Sequence, residues 1–219
     1  VKSAATSLSE TLGPDKKLYA IVNNAGTGIA HESSVSQILD TNTRGPKRVV
    51  DNFLPLLNPI GGRIVNLGSG GGPKYVEMLS SKQEKEMYLQ PMSEEEIEKE
   101  IVIIQNMNDR GAAYRGSKAL LSCYTMALAK QHPNLMTSII TPGWIQTNMT
   151  KGSAASKLPH EGTVSLLKCL FEDLPSSGCF WGSDGLRSPL HYCRNPGEPE
   201  YDGAVPTFEP NGQIVSEQP

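Results

Sequence analysis

The chain has 219 residues, of which 37% are hydrophobic and 20% charged, and its formal net charge is -3. This composition is typical of one soluble globular domain and excludes the collagen-like, disordered and disulfide-scaffold classes. The slight acidic excess gives no electrostatic reason to expect nucleic acid as a partner. No apolar run approaches the roughly 18 residues of a membrane span, so we expect no membrane partner.

Four cysteines and four histidines are scattered along the sequence. Cys123, Cys169, Cys179 and Cys193 form no Cys-x-x-Cys pair, and the histidines lack the close spacing of metal ligands. We therefore expect no metal site. A reducing compartment follows, with the cytoplasm as the default location.

The first third of the chain alternates helical and strand patterns. A helix is expected to end at Gly13, and the apolar run 18–22 predicts a buried parallel strand. The apolar spacing over residues 34–57 predicts a helix in which Pro46 starts a new turn or causes a kink. After two glycines, Arg63–Leu67 predicts a second buried strand.

A polar, acidic stretch over residues 74–110 interrupts this alternation. Ser93 and Glu96 have the spacing of a capping box, so we interpret the stretch as an insertion with at least one helix. The pattern of residues 114–132 predicts a further helix that stops at a proline, and residues 135–140 predict a third strand.

The remaining elements are a helix over residues 158–174 and a short strand over Cys179–Trp181. Residues 189–219 are rich in proline and glycine and predict an extended surface arm after a domain at 1–188. Alternating strands and helices of this size predict an α/β fold with a doubly wound, Rossmann-like parallel sheet. Ligands of such sheets bind outside the carboxyl ends of the strands, where residues 23–26, 68–72 and 142–147 are placed.

Tyr114 and Lys118 are four residues apart on a predicted helix and so share one face. A nearby ammonium favours the phenolate, which suits tyrosine to acid-base work near neutral pH. Taken alone, however, this spacing also fits a solvated surface pair. Ser69 follows a buried strand among glycines, where it could bind a substrate oxygen or could form a simple turn.

Five motifs follow one another along the chain: Asn23-Asn24-Ala25-Gly26, Asn42 in Asp40-Thr41-Asn42-Thr43-Arg44-Gly45, Ser69 after a strand, Tyr114 with Lys118, and Pro142-Gly143-Trp144-Ile145-Gln146-Thr147. Each motif is common alone, and their order carries the argument. Together they resemble the short-chain dehydrogenase/reductase family over roughly residues 1–185.

The resemblance implies an NADPH-dependent reduction of aldehydes, ketones or quinones, with NAD(H) as the alternative cofactor. Tyr114 would give its proton to the carbonyl oxygen, and Ser69 would hydrogen-bond that oxygen. Lys118 would act on the phenol and hold the nicotinamide ribose, while Asn42 would anchor a water that links Lys118 to solvent.

The resemblance also assigns residues to the two ends of the cofactor. The adenine-ribose side would be lined by Asn23, Ala25 and Gly26. The nicotinamide end would be held by Tyr114, Lys118, Pro142, Gly143, Ile145 and Thr147.

Within the family, the long gap from Ser69 to Tyr114 is similar to that of the monomeric carbonyl reductases. Their insertion packs over the helix face that other members use for assembly, so a monomer is implied. Trp144 would then lie beside a pocket for a planar or aromatic carbonyl compound, although a packing role is the alternative.

The family's amino-terminal third, including its glycine-rich turn, has no counterpart in this sequence. We therefore expect a catalytic half without a complete cofactor site, with strand 18–22 at an exposed sheet edge. A non-enzymatic binding or scaffold protein is the alternative function. The physiological substrate and the direction of reaction are not specified by the sequence.

Overall fold

The structure, a computed structural model, describes residues 1–218 and contains eight α-helices and seven strands in that range. The helices are α1 (Lys2–Leu12), α2 (Val35–Leu39), α3 (Gly45–Phe53), α4 (Gly71–Met78), α5 (Lys82–Tyr88), α6 (Glu94–Asn106), α7 (Arg110–Gln131) and α8 (Val164–Phe171). The strands are β1 (Ala20–Asn23), β2 (Arg63–Leu67), β3 (Met136–Ile140), β4 (Cys179–Trp181), β5 (Arg187–Ser188), β6 (Val205–Phe208) and β7 (Ile214–Gln218). Within residues 1–218, no helix combines the length and apolar character needed to cross a membrane.

A five-stranded sheet in the order β1-β2-β3-β4-β5 forms the centre of the molecule. Its first four strands are parallel and β5 is antiparallel to β4. The predicted α/β sheet is confirmed, and β1 lies at an edge as expected. Residue 18 makes only an isolated bridge to Leu57, so β1 begins two residues later than the run 18–22 indicated.

Successive residues of the strands face two different cores, as the pleat requires. One core lies against α2–α7 and includes Ile21, Ile64, Ile139 and Phe180. The other core lies against α8 and includes Val65, Ile140, Trp181 and Cys169. Helix α8 is shorter than the predicted helix over 158–174, because a 3₁₀ turn over Pro159–Thr163 precedes it.

The predicted helix over residues 34–57 is divided into four parts, the last of which is a 3₁₀ turn over Leu54–Leu56. Helix α2 is followed by a π-helical turn over Asp40–Arg44, and α3 then begins with Pro46 in its first turn. Proline is tolerated there because the first-turn N–H groups have no partner within a helix. The π turn carries Asn42, which is completely buried.

The insertion predicted over residues 74–110 contains α5 and α6 and packs on α7. Ser93 and Glu96 form the expected capping box at the start of α6. Ile97, Ile101 and Ile104 of α6 are buried in the larger core.

Ion pairs bind the outer face of α6 to the segment around α3. Arg44 forms two-pronged hydrogen bonds to Glu98, with its Nε 2.9 Å from Oε1. Hydrogen bonding from Arg44 holds the pKa of the Glu98 carboxyl below its usual value. Lys47 lies 3.3 Å from Glu94 in the next turn of α6.

The C-terminal segment differs from the extended arm that its composition predicted. Strands β6 and β7 form an antiparallel hairpin, and Phe208 is buried at 3% exposure. Lys85 Nζ of α5 donates to the Gly212 carbonyl at 2.8 Å, which fixes the hairpin to the insertion. Arg194 is buried and ion-paired with Asp184. The domain boundary at residue 188 remains a prediction.

Candidate active site

Tyr114 and Lys118 lie one turn apart on α7, close to the carboxyl ends of β1 and β2. The Lys118 side chain is buried, and its Nζ donates to the Leu67 carbonyl at 2.7 Å. Burial lowers the pKa of Lys118 to about 8. An ammonium has three N–H donors, so two of them have no partner among residues 1–218. A buried group with free donors is suited to binding hydroxyls of a ligand.

Ser69 and Tyr114 border the same small space at the start of α4. A Cβ placed on Gly71 would lie 3.4 Å from Ser69 Oγ and 3.5 Å from Tyr114 Cε1. The absence of a side chain at Gly71 therefore leaves room between the hydroxyl and the phenol ring. Ser69 Oγ accepts a hydrogen bond from the Gly71 amide at 3.1 Å, which orients the hydroxyl.

Asn42 joins the loop after β1 to α7. Its Oδ1 accepts from the Thr27 amide and its Nδ2 donates to the Thr27 carbonyl, both at 2.9 Å. Nδ2 also donates to Ser117 Oγ at 3.1 Å, and Ser117 in turn donates to the Tyr114 carbonyl. The amide of Asn42 is thus engaged by protein atoms, so its water-anchoring role remains a prediction. Sequence reasoning missed Thr27 and Ser117.

The loop after β1 brings Gly26 against this group. A Cβ on Gly26 would lie 3.4 Å from Asn42 Oδ1 and 3.7 Å from Lys118 Nζ. Ala25 is exposed beside it. Asn23, by contrast, is buried at the end of β1, where its Nδ2 donates to Asn66 Oδ1 at 2.8 Å. The Asn23 side chain is therefore hydrogen-bonded inside the sheet, a contact that the sequence did not indicate. Its role in lining the cofactor remains a prediction.

The Pro142–Thr147 motif forms the loop after β3 at the same end of the sheet. Gly143 has φ +81°, and a Cβ there would lie 2.9 Å from Ser183 Cβ, so only glycine fits. Ile145 pairs with Lys157 in an isolated parallel bridge, and the Thr147 amide donates to Thr150 Oγ1 at 2.9 Å.

Trp144 lies in this loop with 62% of its surface exposed. Its indole Nε1 donates to Ser153 Oγ at 3.0 Å, which fixes the ring against the next turn. The ring is thus a loop side chain and has no role in either core, which argues against the packing alternative.

Two further neighbours of the site had no signal in the sequence. A Cβ on Gly28 would lie 3.4 Å from Tyr114 Cδ2 and 3.8 Å from Met149 Cγ, so this loop covers one side of the tyrosine ring. Cys193 of the C-terminal segment lies beside residues 68–70, which we call the serine loop because they include Ser69. Its Sγ would be 3.1 Å from a Cβ on Gly70.

The cleft volume and the placement of possible metal ligands among the described residues bear on the location of the site. A surface cleft of about 770 Å³ lies between α4–α5 and the β6–β7 hairpin, and its lining includes Lys85 and His191 but none of the predicted catalytic residues. The described residues contain no group of three or more His, Cys, Asp or Glu side chains arranged to hold a metal ion. The candidate active site is therefore located by its polar side chains, because this cleft lies in a different part of the molecule.

No protein-family model matches the chain. Among curated proteins, salutaridine reductase of Papaver bracteatum is 31% identical over 163 residues, which are 68% of this chain and 52% of that protein. The (+)-neomenthol dehydrogenase of Arabidopsis thaliana is 30% identical over 168 residues, which are 66% of this chain and 53% of that protein. The chain thus spans about half the length of the curated relatives it matches.

The solved structure of salutaridine reductase from Papaver somniferum has a TM-score of 0.67 to this chain at 25% identity, covering 82% of this chain and 78% of that one. NADPH-bound carbonyl reductase from chicken fatty liver shares the fold with a TM-score of 0.58 at 24% identity, covering 84% and 70%. The chain belongs to the short-chain dehydrogenase/reductase family.

Proposed function

We propose that the protein reduces the carbonyl group of aldehydes, ketones or quinones to an alcohol, with NADP(H) as the hydride donor. The observation that carries the proposal is the environment of Lys118, whose buried ammonium has two donors without a partner among residues 1–218 and lies next to Gly26. Ser69 and Tyr114, which border one small space, supply the hydroxyl groups that a carbonyl oxygen requires.

The residues present fit a dinucleotide at the carboxyl ends of the strands. Lys118 would hold the nicotinamide ribose through its free donors, and Ala25 and Gly26 would line the path of the cofactor without bulky side chains. The cofactor would supply the hydride. The chicken carbonyl reductase binds NADPH, and a Pseudomonas 3-alpha-hydroxysteroid dehydrogenase of the same fold is complexed with NADH, so NAD(H) is the alternative.

The chain's own groups would handle the substrate oxygen and its proton. Ser69 Oγ would donate to the carbonyl oxygen and polarise the C=O bond, while Tyr114 would donate the proton that completes the alcohol. Lys118 would favour the charged form of the phenol after that transfer. Asn42 would fix the loop at Thr27 and, through Ser117, the turn of α7 that carries Tyr114.

The names of the relatives support carbonyl and alcohol compounds as the substrate class, since they include salutaridine reductase and neomenthol dehydrogenase. The exposed indole of Trp144 would provide a flat surface for a planar substrate at the mouth of the site.

We also propose that the protein is a monomer. Helix α6 covers α7 with three buried isoleucines, and ion pairs from Arg44 and Lys47 hold it there. The face of α7 that could pair with a second copy is therefore already occupied.

The first experiment is a titration of the 219-residue chain with NADPH, followed by the fluorescence of the cofactor. Where binding is saturable, it should be weaker in Lys118→Met. Carbonyl reduction by the protein should fall by roughly 10²- to 10⁴-fold in Tyr114→Phe.

Tyr124→Phe is the matched control, because it removes a phenol hydroxyl from the same helix at a buried position inside the core. Reduction that survives in Tyr114→Phe would refute the proton-donor role. A protein that neither binds nor oxidises NADPH would favour the non-enzymatic binding or scaffold function.

A further inference from the structure

A chain of buried polar side chains crosses the sheet beneath the candidate site. Asn23 Nδ2 donates to Asn66 Oδ1 at 2.8 Å, and Asn66 Nδ2 donates to Thr125 Oγ1 at 2.9 Å. Thr125 Oγ1 then donates to the Leu121 carbonyl at 2.7 Å. Asn66 and Thr125 are completely buried and Asn23 is 6% exposed, so these bonds join β1, β2 and α7 without access to water.

Helix α7 is thereby attached to β2 at two points. One is the bond from Asn66 to Thr125, and the other is the bond from Lys118 Nζ to the carbonyl of the next residue, Leu67. On the helix these points are seven residues apart, or about 10 Å along its axis, whereas on the strand they are neighbours. Two bonds with such different spacing fix both the rotation of α7 and its position along the strand.

The apolar neighbours of this polar chain cannot provide the same precision. The surrounding core consists largely of aliphatic side chains such as Ile64, Leu121 and Ile139, whose packing tolerates small shifts. Hydrogen bonds in a buried environment have strict geometry, and a buried donor without an acceptor is costly. The Asn66–Thr125 bond is therefore a directional contact between β2 and α7, whereas the bond from Asn42 to Ser117 joins α7 to the loop side of the site.

We propose that Thr125, through Asn66, is a positioning residue that holds Lys118 against the Leu67 carbonyl and so keeps its remaining donors directed into the site. The proposal deepens the proposed function, on which its catalytic consequence rests. Thr125 itself contacts neither substrate nor cofactor, since it lies about two helical turns from Lys118 inside the core.

Three substitutions on α7 separate positioning from simple stability. Thr125→Val keeps the shape of the side chain and removes the hydroxyl, whereas Thr125→Ser keeps the hydroxyl. Ser122→Ala is the control, because Ser122 is also buried but bonds only within its own helix, to the Lys118 carbonyl.

The direct readout is proton exchange of the Lys118 ammonium, measured by ¹⁵N NMR of the lysine-labelled 219-residue chain and assigned with Lys118→Met. At a pH of about 6 the ammonium is charged, and its resonance is visible only while its protons exchange slowly. Exchange should become about tenfold faster in Thr125→Val and stay within about twofold of the native rate in Thr125→Ser and Ser122→Ala.

In the activity assay, kcat for carbonyl reduction should fall by about tenfold in Thr125→Val and be restored in Thr125→Ser. A native exchange rate in Thr125→Val would overturn the proposal even if that variant is less stable to urea. Equal effects of valine and serine, or no protected Lys118 resonance in the native chain, would overturn it as well. Failure of the proposed function would appear separately, as a native enzyme without carbonyl reduction.

Discussion

Replacing Lys118 with methionine tests the electrostatics of the site. Burial lowers the pKa of Lys118 from 10.5 to about 8, so the folded chain releases this proton more readily than the unfolded chain. Each pKa unit corresponds to about 1.4 kcal/mol, and the buried charge therefore reduces the free energy of unfolding by about 3 kcal/mol at neutral pH.

The sign of the pH dependence follows from proton binding. Between pH 8 and 10.5 the unfolded chain binds more protons at this residue than the folded chain, so the native protein gains stability as the pH rises through that window. Lys118→Met lacks this gain. The variant also leaves the Leu67 carbonyl without its donor, a cost that does not depend on pH.

Urea unfolding of both proteins at pH 7, 8, 9 and 10 measures the effect. The stability of the native protein relative to Lys118→Met should rise by about 2 to 3 kcal/mol between pH 7 and pH 10. Lys99→Met is the control, since Lys99 is 67% exposed and pairs with Glu95 on the surface of α6. A difference between native and Lys118→Met that stays constant with pH would refute the buried-charge account.

Three further substitutions test two packing contacts near the site and one buried ion pair in the C-terminal segment. Ile104→Ala should lower the free energy of unfolding by about 2 to 5 kcal/mol in urea denaturation, because this completely buried residue joins α6 to α7. Gly68→Ala should cost about 1 to 3 kcal/mol and also reduce kcat, since its Cβ would lie 2.7 Å from Ile139 Cγ1 and would displace the serine loop. Arg194→Met should destabilise the C-terminal segment by about 3 kcal/mol and speed its proteolysis, because Asp184 then loses its ion-pair partner and keeps only the amides of Leu186 and Gly197.

Each of these substitutions has a matched control elsewhere in the chain. Ile103→Ala changes the adjacent, half-exposed residue and should be near neutral. Gly45→Ala meets its nearest atom at an ordinary 3.6 Å, and Lys74→Met breaks only an exposed pair worth less than about 1 kcal/mol. Equal losses in a variant and its control would show that the buried contact is not the cause.

Elements controlled by neighbouring residues could be predicted from the sequence. The capping box of Ser93 and Glu96 acts over three positions, and Arg63–Leu67 is a run of strand length that carries Ile64, Val65 and Leu67 between glycines. Both were placed at their observed positions. The π turn at Asp40–Arg44 was not foreseen, because nothing local distinguishes it from the regular helix that the apolar spacing indicates.

The identity of the site residues could be predicted from the sequence, but the contacts between them could not. The order of its motifs along the chain indicated Asn42, Ser69, Tyr114 and Lys118, and the fold brings them together in two groups around Gly26 and Gly71. Their roles in catalysis remain predictions.

Sequence alone determined the alternation of strands and helices and the set of polar residues at the strand ends, because both follow from spacing over a few residues. Tertiary structure decided which buried groups hold that set in place. Asn66 and Thr125 are 59 positions apart, and they meet only because β2 and α7 pack in one register. The same holds for the C-terminal hairpin, whose contact from Lys85 to Gly212 spans 127 positions and therefore has no local signal.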